Sequence, residues 1–193
     1  MAVAVTGGIG AGKSEALKAF ARHGAAVVSS DEIVHELLRS DPEIHEAVRE
    51  RWGESVFGPE GGVDRALVAQ IVFGDRRELE WLEGLLHPRV VATYLAWRER
   101  LAELDDPPAV CVTEVPLLYE VEGEKRFDAV VVVTASPEVR ISRRIGPVDT
   151  REQRLIPEEE KIARADFAYV NDGSLEELDA FVADVVGKLS AKP

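Results

Sequence analysis

The residues Gly7-Gly8-Ile9-Gly10-Ala11-Gly12-Lys13-Ser14 carry the most chemistry in their spacing. They fit G-x-x-x-x-G-K-[ST], with a short apolar run before them and a helical pattern after them. Glycines let consecutive backbone N–H groups curl around a β-phosphate with no side chain in the way. A helix starting at Lys13 aims its positive end at the same phosphates. In such a loop Lys13 reaches the β- and γ-phosphates, and Ser14 offers its hydroxyl to a Mg²⁺ ion. Gly8, Ile9, Gly10, Ala11, Gly12, Lys13 and Ser14 are therefore the expected nucleotide-binding set, with ATP and Mg²⁺ as ligands. The plain alternative is a glycine-rich turn followed by a chance Lys-Ser, which needs both flanks to be coincidental.

Ligands of open α/β sheets sit at the carboxyl ends of strands, and two carboxylates fall there. Asp31 closes the run Val27-Val28-Ser29-Ser30-Asp31. It suits a base that takes or orients the proton of an acceptor hydroxyl, and it equally suits the cap of the next helix. Glu114 ends a later strand, just before Val115-Pro116. It reads either as a water-mediated Mg²⁺ ligand or as a solvent-exposed strand end. Between positions 139 and 155, Arg140, Arg143, Arg144, Arg151 and Arg154 are accompanied only by the acids Asp149 and Glu152. Arginines on a flap clamp phosphoryl oxygens during transfer; a solvated helix face is the other reading of such a run. Gly146-Pro147 would give that flap a bend. His87-Pro88 reads as a helix start, with His87 a cap rather than a ligand.

Apolar runs at 2–6, 25–30, 109–115, 127–134 and 167–170 read as the strands that must position these groups. Helices are expected over 13–23, 31–39, 64–73 and 76–86, from Asp41-Pro42, after His87-Pro88, from Ser136-Pro137-Glu138, and from Ser174 with Glu177 in a capping box. Near-continuous apolar strands alternating with helices indicate a parallel α/β sheet covered on both faces. Residues 31–104 are too many for a simple crossover and read as a helical insertion, and 139–157 as a lid, within one domain over 1–193.

The 193 residues, 46% of them hydrophobic and 31% charged, suffice for a sizeable core. A net charge of −13 argues against nucleic-acid or anionic-membrane binding through the general surface. The positive exceptions are residues 1–30 and 139–164, each at +2, which hold the phosphate loop and the arginine-rich segment. A single cysteine, Cys111, excludes an internal disulfide framework and a cysteine-cluster metal site, and reads as a small buried side chain. No apolar run approaches the roughly 20 residues of a membrane span, and no secretion signal is visible, so a cytoplasmic monomer is expected. No N-K-x-D segment of the GTP switch proteins occurs. One loop, a helical insertion and a late arginine cluster suit a small-molecule kinase.

Taken together, the motifs resemble those of the dephospho-coenzyme A kinase family over nearly the whole chain. The resemblance rests on Thr6 to Ser14, Ser30-Asp31-Glu32-Ile33, Val63-Asp64-Arg65, Ile71-Val72-Phe73, Leu86-His87-Pro88, Val115-Pro116-Leu117-Leu118-Tyr119-Glu120, Glu159-Glu160-Lys161, Ala165-Asp166 and Asn171-Asp172-Gly173, in that order. It implies a P-loop kinase of nucleoside-monophosphate-kinase-like fold, with a five-stranded parallel sheet, a helical acceptor-binding insertion and a short lid. It implies transfer of the ATP γ-phosphoryl group to the ribose 3′-hydroxyl of dephospho-coenzyme A, the last step of coenzyme A synthesis. Carried over, Asp31 is the base, Lys13 and Ser14 serve ATP and Mg²⁺, and Arg143 is the lid-edge arginine. Arg65 and His87 fall on acceptor-side positions, and Asn171 in the segment near the adenine. The stretch after Arg143 is shorter than the family's by about two helical turns, and Gly146-Pro147 stands where a second lid arginine is usual. The alternatives are a kinase for another small alcohol or nucleoside, and a nucleotide-binding regulator without catalysis.

Overall fold

Five short apolar segments pair in parallel into one sheet: β1 (Ala2–Thr6), β2 (Ala26–Ser29), β3 (Cys111–Glu114), β4 (Ala129–Thr134) and β5 (Phe167–Val170). The structure is a computed structural model and describes residues 1–143 and 156–191. The helices over these residues are α1 (Lys13–Arg22), α2 (Ser30–Ser40), α3 (Pro42–Trp52), α4 (Arg65–Gly74), α5 (Arg76–Ala102), α6 (Pro137–Arg143), α7 (Glu158–Arg164) and α8 (Leu175–Ser190). The strands lie in the order β2-β3-β1-β4-β5. From β1 the chain goes out to β2, returns to β3 and crosses to β4, so the order reverses around β1 and opens a crevice at its carboxyl end.

The chain forms two units, Met1–Ser29 with Arg98–Pro193, and Ser30–Trp97. In the sheet unit every residue of β4 is buried, which is why that run shows no polar alternation. On one face, Phe20 of α1 and Leu178, Val182, Val185 and Leu189 of α8 pack against Val3, Val5 and Val131. Arg22 and His23 tie these two helices further. Arg22 Nε and Nη2 donate to Asp179 Oδ1 at 3.0 and 2.6 Å, and His23 Nε2 lies 2.9 Å from Oδ2. Arg22 first and His23 second hold the Asp179 carboxyl below the usual carboxylate range. The other face packs Leu118 and Tyr119 against Ala4, Val130 and Val132. Beside that cluster Lys161 is only 1% exposed, with its ammonium 2.7 Å from Glu120 Oε1. Two of the motifs behind the family resemblance thus meet as a buried ion pair.

The unit Ser30–Trp97 is helical, with its own core of Leu38, Ile44, Val48, Val68, Val72, Leu82 and Leu86. Asp41 caps α3 by accepting from Ile44 N at 2.9 Å, with Pro42 at the first helical position, as the sequence predicts. Asp64 caps α4 in the same way, through Ala66 N and Leu67 N. One expectation fails here. Leu86-His87-Pro88 does not separate two helices: α5 runs unbroken from Arg76 to Ala102 with Pro88 inside it. The Gly84 carbonyl loses its usual N–H donor to Pro88. Nearby, Arg89 Nη1 donates to Leu85 O at 3.2 Å. His87 is therefore an exposed mid-helix residue and not a cap. Among the described residues, no helix is long and apolar enough to cross a membrane.

Candidate active site

The loop between β1 and α1 takes a path only glycine allows at two points. Gly7 has φ +145°, and a Cβ there would lie 1.8 Å from Val133 O. Gly12, with φ +95°, caps α1, and its Cβ would lie 2.2 Å from Asn171 Nδ2. A side chain at Gly7 would collide with the backbone of β4, and one at Gly12 would strain the backbone and displace the Asn171 amide. Lys13 opens α1, half-buried, and its Nζ donates to Gly8 O at 3.0 Å. That bond arches the ammonium back over the loop, toward the N–H groups that would receive phosphates. Ser14 is exposed in the first turn of the same helix.

The loop is braced from behind by groups whose part in it the sequence does not reveal. Asn171 is 3% exposed; its Nδ2 donates to Ala11 O at 2.9 Å and its backbone N–H to Thr134 O at 2.7 Å. The side chain predicted near adenine thus spends its amide on the loop. Arg143 Nη1 donates to Asn171 O at 2.8 Å. Arg140 Nε donates to Ile9 O at 3.0 Å, and its Nη1 to Glu158 Oε1 at 2.6 Å. The other Glu158 oxygen accepts from the Thr134 hydroxyl at the end of β4. Arg140 therefore faces a loop carbonyl and a carboxylate, where the sequence suggested a flap arginine or a solvated helix face. Thr134 was within reach of the strand-end rule; Glu158 was hidden in three consecutive glutamates with no apolar period. Arg144, Arg151, Arg154 and Gly146-Pro147, with most of the expected lid, lie outside the described residues.

This brace carries a prediction. Arg140→Ala should raise KM for ATP by about tenfold or more, because a charge-assisted hydrogen bond is worth roughly 1.5–3 kcal/mol. The KM for the acceptor should move far less. Steady-state kinetics with each substrate varied checks this, and an unchanged KM for ATP would remove Arg140 from the brace.

Of the two readings of Glu114, the structure removes one. Glu114 ends β3 in register with Val5 but is 5% exposed, not a solvent-facing strand end. The Ser14 hydroxyl at the start of α1 and the Glu114 carboxylate at the end of β3 are both oxygen donors, the chemistry that Mg²⁺ accepts alongside waters and phosphates. In the helical unit Asp31 is exposed and lies inside the first turn of α2, which starts at Ser30. The capping alternative therefore does not hold; a carboxylate inside that turn is favoured by the helix dipole. Arg65 is the exposed first residue of α4, and its Nη1 lies 3.2 Å from His35 Nδ1. His35, four residues after Asp31, is on the same face of α2.

A parallel sheet in this order, with a glycine loop delivering Lys13 and Ser14 to the start of α1, defines a P-loop kinase of the nucleoside-monophosphate-kinase-like class. A family model for dephospho-CoA kinase matches residues 1–177. The chain belongs to the dephospho-CoA kinase family. It is 34% identical to a dephospho-CoA kinase of Protochlamydia amoebophila, covering 97% of this chain and 95% of that one. It is 37% identical to the Thermobifida fusca dephospho-CoA kinase, at 98% and 96% coverage. Among solved structures, a Thermus thermophilus protein superposes with a TM-score of 0.77 at 32% identity, covering 98% of this chain and 97% of that one. The Campylobacter jejuni dephospho-CoA kinase gives 0.69 at 25%, with 98% and 96% coverage. Shikimate kinase from Aquifex aeolicus, at 17% identity and a TM-score of 0.50 with full coverage of both chains, shares the fold.

Proposed function

We propose that the chain transfers the γ-phosphoryl group of ATP to the ribose 3′-hydroxyl of dephospho-coenzyme A, giving coenzyme A and ADP. One observation supports this reading above the rest: the family match spans residues 1–177 and includes an intact, braced phosphate loop. In the proposed mechanism the backbone N–H groups of residues 8–14 hold the β-phosphate, and Lys13 carries the charge that moves onto the γ-phosphoryl oxygens. Ser14 and Glu114 would hold Mg²⁺, which when bound neutralises charge between the β- and γ-phosphates. Asp31, two residues past the end of β2, accepts or orients the acceptor hydroxyl proton. Arg143 has guanidinium donors beyond its bond to Asn171 O for the transferring group. The turn opened by Asn171 is assigned to the adenine on the family resemblance. The helical insertion, with Arg65 and His87, is assigned to the acceptor.

A panel of acceptors separates this reading from a kinase for another alcohol. With ATP and Mg²⁺ fixed, dephospho-coenzyme A should be used roughly 100-fold more efficiently than adenosine or shikimate, because a site built around its polar groups rejects partial mimics. A different alcohol turned over faster would replace the acceptor. ATP binding without any acceptor-stimulated consumption would support the regulator reading instead.

A further inference from the structure

Within Ser30–Trp97 lies an open cavity of about 390 Å³, of a size that small-molecule sites occupy. His35, Arg39, Glu60, Gly62, Asp64 and Arg65 contribute to its wall. The loop 58–62 closes one side, with Gly58 N donating to Gly62 O at 2.8 Å and Val63 N to Leu38 O at 2.9 Å.

One arginine of this unit differs from the rest in its pairing. Seven arginines lie in it. Five rest on carboxylates: Arg39 on Glu36, Arg49 on Glu54, Arg51 on Glu78, Arg76 on Glu80 and Arg89 on Glu43. Arg39, although in the cavity wall, is spent in this way, and it holds the Glu36 carboxyl below the usual range. Arg65 and Arg77 have no carboxylate partner among the described residues, and of the two only Arg65 lines the cavity. Arg65 also sits in the first turn of α4, where no acid accompanies it and a cation opposes the helix dipole. Its partner, His35 Nδ1, must accept, because a guanidinium has only donors. The neutral ring then carries its proton on Nε2, a second donor beside Arg65. The wall's own acid Asp64 is engaged in capping α4.

We infer that this cavity is the subsite for the diphosphate bridge of the acceptor, bound by Arg65 with His35 beside it. The inference rests on the proposed acceptor, dephospho-coenzyme A, whose anionic part at neutral pH is that bridge. An uncompensated guanidinium suits it, since arginine meets phosphate oxygens with two parallel N–H bonds. Glu60, exposed on the rim, opposes the ligand's charge.

The test is steady-state kinetics of four variants, with each substrate varied in turn. Arg65→Ala should raise KM for dephospho-coenzyme A at least tenfold and change KM for ATP less than twofold. Arg65→Lys should recover part of the loss, and Glu60→Gln should lower the acceptor KM severalfold. Arg77→Ala, the control for charge in general, should change neither. An unchanged acceptor KM in Arg65→Ala, an equal rise for both substrates, or an Arg77→Ala effect as large as that of Arg65→Ala would overturn the subsite. A ³¹P titration of dephospho-coenzyme A separates this inference from the activity. The diphosphate resonances should shift with the wild-type chain and not with Arg65→Ala, whether or not turnover occurs. Shifts equal in both proteins would overturn the subsite, and a shift without turnover would overturn only the proposed reaction.

Discussion

Asp31→Asn is expected to lower kcat with dephospho-coenzyme A by about 10²- to 10⁴-fold, the range that a positioned base contributes. That is about 3–5 kcal/mol at 1.36 kcal/mol per tenfold. Asparagine keeps the shape and the site in the first turn of α2, so the helix start is preserved. It cannot take a proton, and it offers the hydroxyl a weaker acceptor. Phosphoryl transfer asks little covalent chemistry of the protein, so much of the loss is lost orientation of the attacking oxygen. The phosphate loop and its brace belong to the other unit, and KM for ATP should stay within about twofold. A kcat within tenfold of wild type would take the base role away from Asp31.

Lys161→Met should destabilise the fold strongly. The ammonium is 1% exposed and the Glu120 side chain 11%, so removing the lysine leaves a carboxylate in the interior with Ile156 N–H, at 3.1 Å, as its described donor. Breaking a buried pair from one side costs about 3–5 kcal/mol, whereas neutralising both partners is often nearly neutral. The double variant Lys161→Met/Glu120→Gln should therefore regain most of the loss, since glutamine still accepts from Ile156. Urea denaturation reads both as midpoint shifts at constant slope. A single-variant loss under about 1 kcal/mol, or a double variant no better than the single, would contradict the pair's role. The effect should reach the site, because α7 also carries Glu158, which holds Arg140 against the loop. Lys161→Met should therefore also raise KM for ATP.

What the sequence revealed and what it withheld divide along physical lines. The strands of the sheet were visible because parallel strands covered on both faces leave uninterrupted valine-rich runs, as in β4. The caps at Asp41 and Ser174 were visible because capping is local chemistry. Pro88 misled because a proline's cost in a helix is a preference that packing overrides; Leu82, Leu86, Val90 and Tyr94 of α5 are buried on both sides of it. Lys161 and Glu114 were unreadable as interior groups, since nothing local marks a lysine or glutamate as buried. Arg140 showed its charge but not its direction. Composition told that a cation lies near the polyanion site, while only the fold shows it holding Ile9 O rather than reaching outward. The positions of Asp31 and the loop residues were legible because they follow strand ends, which the apolar pattern already located.

The product itself decides whether the chain phosphorylates dephospho-coenzyme A. Wild-type chain, ATP, Mg²⁺ and dephospho-coenzyme A should yield ADP and coenzyme A in equal amounts, with the mass of one added phosphoryl group and a phosphomonoester on the ribose 3′-oxygen by NMR. Release of ADP without a 3′-phosphorylated product, or no product at high enzyme concentration, would contradict the account.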